Sequence, residues 1–214
     1  MLIGIVGRGG FAREIAPIAR QNRFAEAEII FVDLSQSDVT VNGFRVISET
    51  QFLGQSCPRW FNIAIADSAV RRRLAADYMS AGIQPLSITD SRHVSYDENE
   101  IGVGAIMCAN SIVTSNVKIG NFFHCNIGSY VAHDCVIGDF VTFAPRVSCN
   151  GNVIIEDDAY IGTGAVIKHG KSMSPLRIGQ GAVVGMGAVV TKDIPAGEIW
   201  VGNPARPMSK KNNS

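Results

Sequence analysis

Two groups of residues in this 214-residue sequence have the types and spacing for chemistry. The first is His133 with Asp134 directly after it; the other histidines stand at 93, 124 and 169. An imidazole is the side chain that most readily accepts a proton near neutral pH, which makes His133 a candidate general base. The second group lies at the N-terminus. There the apolar run Leu2-Ile3-Gly4-Ile5-Val6 enters Gly7-Arg8-Gly9-Gly10, and a later apolar run over 29–32 ends in Asp33. Gly7-x-Gly9-x-x-Ala12 after a strand, with an acid closing the next strand, fits a dinucleotide-binding turn. Five cysteines include no Cys-x-x-Cys pair, and no His/Cys cluster has metal-ligand spacing, so no metal is expected.

The elements that must position these groups fall into two halves with different periods. Residues 1–90 read as strands alternating with helices. A helix follows the glycine turn with Phe11, Ile15, Ile18 and Ala19 at helical spacing, and Pro17 should kink or shorten it. Ser48-Glu49-Thr50-Gln51 has the form of a capping box before a short helix. A third buried strand is expected over Phe61 to Ala66, with Asp67 capping a helix that carries Val70, Leu74 and Tyr78 and ends near Gly82. This pattern predicts a small parallel sheet, an abbreviated Rossmann-like domain large enough for one nucleotide.

From Ile101 the period becomes six. Ile101, Met107, Val113, Ile119, Cys125, Val131, Ile137, Phe143, Cys149, Ile155, Ile161 and Ile167 are twelve consecutive apolar slots, and the register resumes at Ile178 after a break. Fifteen of the 22 glycines lie in this half. A period of six marks a parallel β-helix with three flat sides per coil of about eighteen residues. Residues 91–214 are therefore expected to form about five coils and a tail. Coil stacking predicts Gly151 beside His133, roughly one strand spacing of ~4.8 Å away, and His124 above Thr142. A residue without a side chain at 151 leaves a backbone N–H open to an approaching carbonyl oxygen.

Composition narrows the function classes. Nineteen basic and nineteen acidic residues balance to zero, which argues against nucleic acid and anionic membranes as partners. No apolar run approaches the ~18 residues of a membrane span, so no membrane insertion is expected. Unpaired thiols in apolar slots, and no signal-peptide pattern, predict a cytoplasmic protein.

Several segments resemble a known family. Val131-Ala132-His133-Asp134-Cys135-Val136-Ile137-Gly138-Asp139-Phe140, the run Gly151-Asn152-Val153, the tail Val201-Gly202-Asn203-Pro204-Ala205 and the turn Gly7-Arg8-Gly9-Gly10-Phe11 look like the hexapeptide-repeat sugar acetyltransferases of the NeuD and PglD type. The resemblance implies a left-handed β-helix, acetyl-CoA as co-substrate without a metal, and a homotrimer with active sites between subunits. It implies that Asp134 orients and charges His133, that Gly151 meets the thioester oxygen, and that Asn126 lies near the acceptor. Thr142 stands where several relatives have a histidine near the acetyl group, and His169 is placed near the pantetheine arm. Lys168, Lys171, Lys192 and Arg206 are candidates for the coenzyme A phosphates. Gly9, Gly10, Phe11, Asp33, Ala66 and Asp67 are expected to receive a nucleotide-activated sugar. The implied reaction is N-acetylation of a nucleotide-linked amino-deoxysugar in surface glycan synthesis. Sugar O-acetylation of the sialic-acid type, or a non-catalytic nucleotide-sugar-binding β-helix, would use the same residues.

Overall fold

The computed structural model describes residues 1–21, 27–33 and 39–208. Its N-terminal sheet contains β1 (Leu2–Val6), β2 (Glu28–Asp33), β3 (Val39–Val41), β4 (Phe44–Ser48), β5 (Arg59–Ile63) and β6 (Gln84–Pro85). The order is β3-β4-β2-β1-β5-β6, parallel except for the β3–β4 pair. Central β1 is buried along its length, as expected of an apolar run between two parallel neighbours. The helices are α1 (Gly10–Gln21), α2 (Glu49–Leu53) and α3 (Ser68–Ser80). The Ser48 hydroxyl accepts from the Gln51 N–H at 3.1 Å and the Gln51 side chain accepts from the Ser48 N–H at 2.8 Å, so the capping box that starts α2 is closed from both sides.

Three local expectations need correction. α1 runs through Pro17 for twelve residues without stopping. Pro17 lies on the exposed side, where water can meet the carbonyl that proline leaves without a donor. The β3–β4 hairpin is an addition to the expected elements. Asn42 (φ 49°) and Gly43 (φ 80°) both take positive φ, the form of a two-residue hairpin turn. β5 ends at Ile63, so residues 64–66 belong to the loop that enters α3.

The second half is a left-handed parallel β-helix. Its first face stacks Ile88–Thr89, Ile106–Met107, His124–Cys125, Thr142–Phe143, Tyr160–Ile161, Val183–Val184 and Ile199–Val201. The second face begins at Val94–Ser95 and includes Tyr130–Val131 and Ser148–Cys149; the third begins at Glu100–Ile101 and includes Val136–Ile137. The second face has six strands, and the third has five and a further parallel bridge from Ile178 to Ile194, so six coils stack and Ile199–Val201 opens a seventh. The six-residue slots point inward with the fifth residue of each hexad, so that Val131, Phe143, Cys149, Cys135, Val141 and Val147 share one core. From Glu98 to Gly164 every corner has one residue at positive φ, recurring every six positions through Gly104, Asn110, Asn116 and Asp158.

The N-terminal domain docks on the first face and on the corner between the third and first faces. Phe61 stacks on Phe122 at 5.9 Å, and Phe122 on Phe140 at 5.2 Å. From α3, the Arg72 guanidinium lies 4.4 Å over the Phe140 ring and pairs with Asp158 at 2.9 Å. Inside the prism, fully buried Phe143 meets Phe123 edge to face at 5.1 Å. Phe143→Ala should lower the unfolding free energy by about 3–5 kcal/mol, the usual cost of emptying a buried aromatic site. Urea unfolding at fixed protein concentration checks this; a loss below about 1 kcal/mol would show that the coil collapses around the gap.

Candidate active site

His133 lies at the corner between the second and third faces, in the third place of its hexad, where side chains leave the prism. Asp134 holds the left-handed corner position with φ 59°, which turns its carboxylate back toward the preceding ring. The result is a 2.7 Å hydrogen bond between His133 Nδ1 and Asp134 Oδ2. An ionised carboxylate only accepts, so Nδ1 carries the proton and the neutral ring keeps its Nε2 lone pair free. The His133 side chain is 60% exposed in the single chain, so a reaction partner can reach it.

Gly151 seats the ring. A Cβ on residue 151 would lie 2.5 Å from His133 Cε1 and 2.7 Å from Nε2, so any larger residue would displace the imidazole. The neighbouring coil is held by the Asn152 N–H donating to the His133 carbonyl at 3.0 Å. Among the described residues no hydrogen bond takes up the Gly151 N–H. His169 follows one coil further on, and with Lys168, Lys171, Lys192 and Thr191 it lines a 280 Å³ cleft at the same corner. The other basic candidate, Arg206, is separate from this group, on the short antiparallel strand Arg206–Pro207 that closes the first face.

A second cleft, of 260 Å³, opens where α1 and the loop before α3 meet the first face. Phe11, Ala66, Asn126 and Thr142 all line it, together with Glu14, His124, Tyr160 and Thr163. His124 sits directly beside Thr142 in the strand register. It is 1% exposed, and its Nε2 lies 3.0 Å from the Ile63 carbonyl, which requires an N–H there. Burial, and then the nearby Arg71 charge, hold its pKa well below the usual value, so the ring is neutral at physiological pH. Its ring lies 5.1 Å from the Phe11 ring, tilted by 50°. Asn126 donates from Nδ2 to the Phe143 carbonyl at 2.9 Å.

Not every expected residue lands where expected. Thr142 is separated from Gly151 and His169: it lies on the first face, 4% exposed, and its hydroxyl accepts from Arg71 Nη2 at 3.0 Å. Asp67 is occupied as the N-cap of α3, accepting from the Val70 N–H at 3.0 Å. Asp33 pairs with Arg8, two positions before Gly10, where α1 begins. Gly7 needs its φ of 102°, whereas a Cβ on Gly9 or Gly10 would meet only open space. Arg71 escaped notice because it sits in the run Arg71-Arg72-Arg73, which reads as a solvated helix face. Glu14, Tyr160 and Thr163 carry no local signal at all; only the docking of the two halves brings them together.

Comparison with known proteins agrees with this architecture. Residues 2–78 match the family model for the PglD N-terminal domain. GDP-perosamine N-acetyltransferase from Escherichia coli O157:H7 is 48% identical over 218 residues, covering 100% of this chain and 99% of that protein. Among solved structures, WeeI from Acinetobacter baumannii AYE superposes with a TM-score of 0.94 at 50% identity, over 97% of this chain and 100% of its own. The acetyltransferase domain of PglB from Neisseria gonorrhoeae FA1090, in complex with acetyl coenzyme A, gives 0.87 at 28% identity over 97% and 98%. A shared coil alone would establish only a fold, but identity at this level runs through both halves, and the chain belongs to the left-handed β-helix acetyltransferases that carry a PglD-type N-terminal domain.

Proposed function

We propose that this protein transfers the acetyl group of acetyl-CoA to the amino group of a nucleotide-linked amino-deoxysugar, with GDP-perosamine as the acceptor, for surface glycan synthesis. The observation that carries the reading is full-length 48% identity to a GDP-perosamine N-acetyltransferase, with a His–Asp pair seated on a glycine at the exposed corner. The acceptor named by that relative is an amine, which favours N- over O-acetylation.

The chemistry follows from the geometry. An ammonium cannot attack a thioester, so the acceptor nitrogen must lose a proton before or during attack. His133 Nε2 takes that proton while Asp134 steadies the charged ring through Nδ1. The amine nitrogen forms its bond to the thioester carbon, the carbon–sulfur bond breaks, and coenzyme A leaves as a thiol after accepting the proton from His133. The Gly151 N–H is the candidate donor to the developing oxyanion. The three lysines around His169 suit the phosphates of coenzyme A, and the glycine turn with the Phe11–Asn126 cleft suits the nucleotide sugar.

His133 and that cleft stand at different corners, separated by the second face. A working site therefore combines the cleft of one copy with His133 of another, and a closed threefold homotrimer satisfies all three sites at once. Among the described residues no helix is long and apolar enough to cross a membrane, and both substrates belong to the cytoplasm, where we place the protein.

Three measurements test these statements. Incubation with acetyl-CoA and GDP-perosamine should release free thiol and yield the N-acetylated sugar nucleotide; absence of thiol release over a panel of amino-sugar nucleotides would overturn the assignment. Light scattering should give three times the 22.9 kDa chain mass, and an active monomer would refute the shared site. His133→Ala should lower kcat by about 10²–10⁴ with both KM values within a few-fold. Asp134→Asn keeps the corner conformation and should cost less. A variant that keeps near-full kcat would remove His133 from the mechanism.

A further inference from the structure

We infer that Arg71 is a positioning residue for acceptor binding: its guanidinium fixes the spacing between the two walls of the Phe11–Asn126 cleft. The inference rests on the assignment of that cleft to the nucleotide sugar.

Arg71 is fully buried and does not line the cleft itself. Its Nη1 donates to the carbonyls of Ile65 at 2.8 Å and Ala66 at 3.0 Å, both in the loop between β5 and α3. Its Nη2 donates to the Phe140 carbonyl and to Thr142 Oγ1 at 3.0 Å, both in the β-helix. Ala66 and Thr142 are wall residues of the cleft, one from each half of the molecule. One rigid, planar group thus spans the domain junction directly behind the cleft.

Burying a guanidinium is costly unless its N–H groups are taken, and here only Nε lacks a partner. Desolvation brings its pKa down to about 10, which leaves it charged at neutral pH. A lysine ammonium is a compact point charge and cannot reproduce the fork that reaches both walls. The same charge helps to keep His124 neutral beside Thr142. Domain docking has further supports that do not use the Arg71 guanidinium, namely the Phe61–Phe122–Phe140 ring stack and the Arg72–Asp158 pair. Loss of Arg71 should therefore be felt at the cleft more than in the junction as a whole.

The test compares Arg71→Lys, Arg71→Met and Thr142→Val in the full chain. It measures kcat, KM for GDP-perosamine, KM for acetyl-CoA, the thermal midpoint, and GDP-perosamine binding by calorimetry. Thr142→Val should weaken sugar-nucleotide KM and affinity about tenfold, the size of one charge-assisted hydrogen bond, while KM for acetyl-CoA stays within about twofold. Arg71→Met should weaken it further, with Arg71→Lys in between. A merely structural role would lower the thermal midpoint and leave the KM values alone, or raise both equally; either result overturns the inference. If Arg71→Met does not fold, Arg71→Lys and Thr142→Val decide. If the wild-type chain transfers no acetyl group, the assigned reaction fails, and unchanged affinity in those two variants separately refutes the positioning role.

Discussion

A chain that turns three corners every eighteen residues must place one residue per corner in the left-handed region, and the rest of the β-helix depends on meeting that demand. For an ordinary L-residue this conformation costs roughly 1–2 kcal/mol, and glycine, asparagine and aspartate bear it best. Gly104, Asn110, Asn116, Gly128, Asn152, Asp158 and Gly164 occupy corners in keeping with that rule. Glu98, Arg146 and the two phenylalanines Phe122 and Phe140 break it, the last two with φ of 53° and 58°. Both rings project from one edge of the prism and stack on each other and on Phe61, so the contact that docks the N-terminal domain offsets the strain at those two corners. Asp134 meets the same demand while its carboxylate reaches the neighbouring imidazole. At that corner the fold and the proposed chemistry favour the same residue type.

The regular part of this architecture was legible because buried slots at a fixed interval leave a periodic trace. The trace fades where burial fades. The first coil begins at Ile88, thirteen residues before the first apolar slot, because its inward positions are Thr89 and Ser95. Both are exposed, at the open end of the prism where no earlier coil covers them. The hairpin over Val39–Ser48 was present in the sequence as Asn42-Gly43 within a stretch rich in β-branched residues, a local turn signal that stands outside the strand–helix alternation of this half. Pro17 shows the reverse error. Its effect on α1 depends on which side of the helix faces water, and the residue type alone does not carry that information.

The His133 corner was legible for a different reason. Adding eighteen to 133 brings Gly151 beside the imidazole, and the coil makes that arithmetic physical. The proposed acceptor cleft was only half legible: Phe11, Ala66, Asn126 and Thr142 line it, but Arg71, which bonds to Ala66 and to Thr142 behind it, gave no signal of its own. In Arg71-Arg72-Arg73 three identical residues take three fates. Arg71 is buried behind the cleft, Arg72 covers Phe140 and pairs with Asp158, and Arg73 pairs with Asp77 at 3.3 Å one helical turn away. Helix geometry separates the three by about 100° each, but only the docked β-helix decides which direction is inward.

Rigid placement and shared labour follow from the same prism. Stacked coils fix every corner relative to every other, so a ring seated on Gly151 and a cleft under Phe11 cannot approach each other by flexing within one chain. Each corner is nevertheless complete in itself: His133 has its carboxylate, and the cleft has walls tied together by Arg71. In the proposed site the missing partner of each is the other, presented from outside. In the proposed homotrimer, prisms packed side by side around a threefold axis would bring a second-to-third corner of one copy against the cleft of the next without deforming either. On that proposal assembly is part of catalysis, because His133 would be delivered at the orientation that rigid coils set.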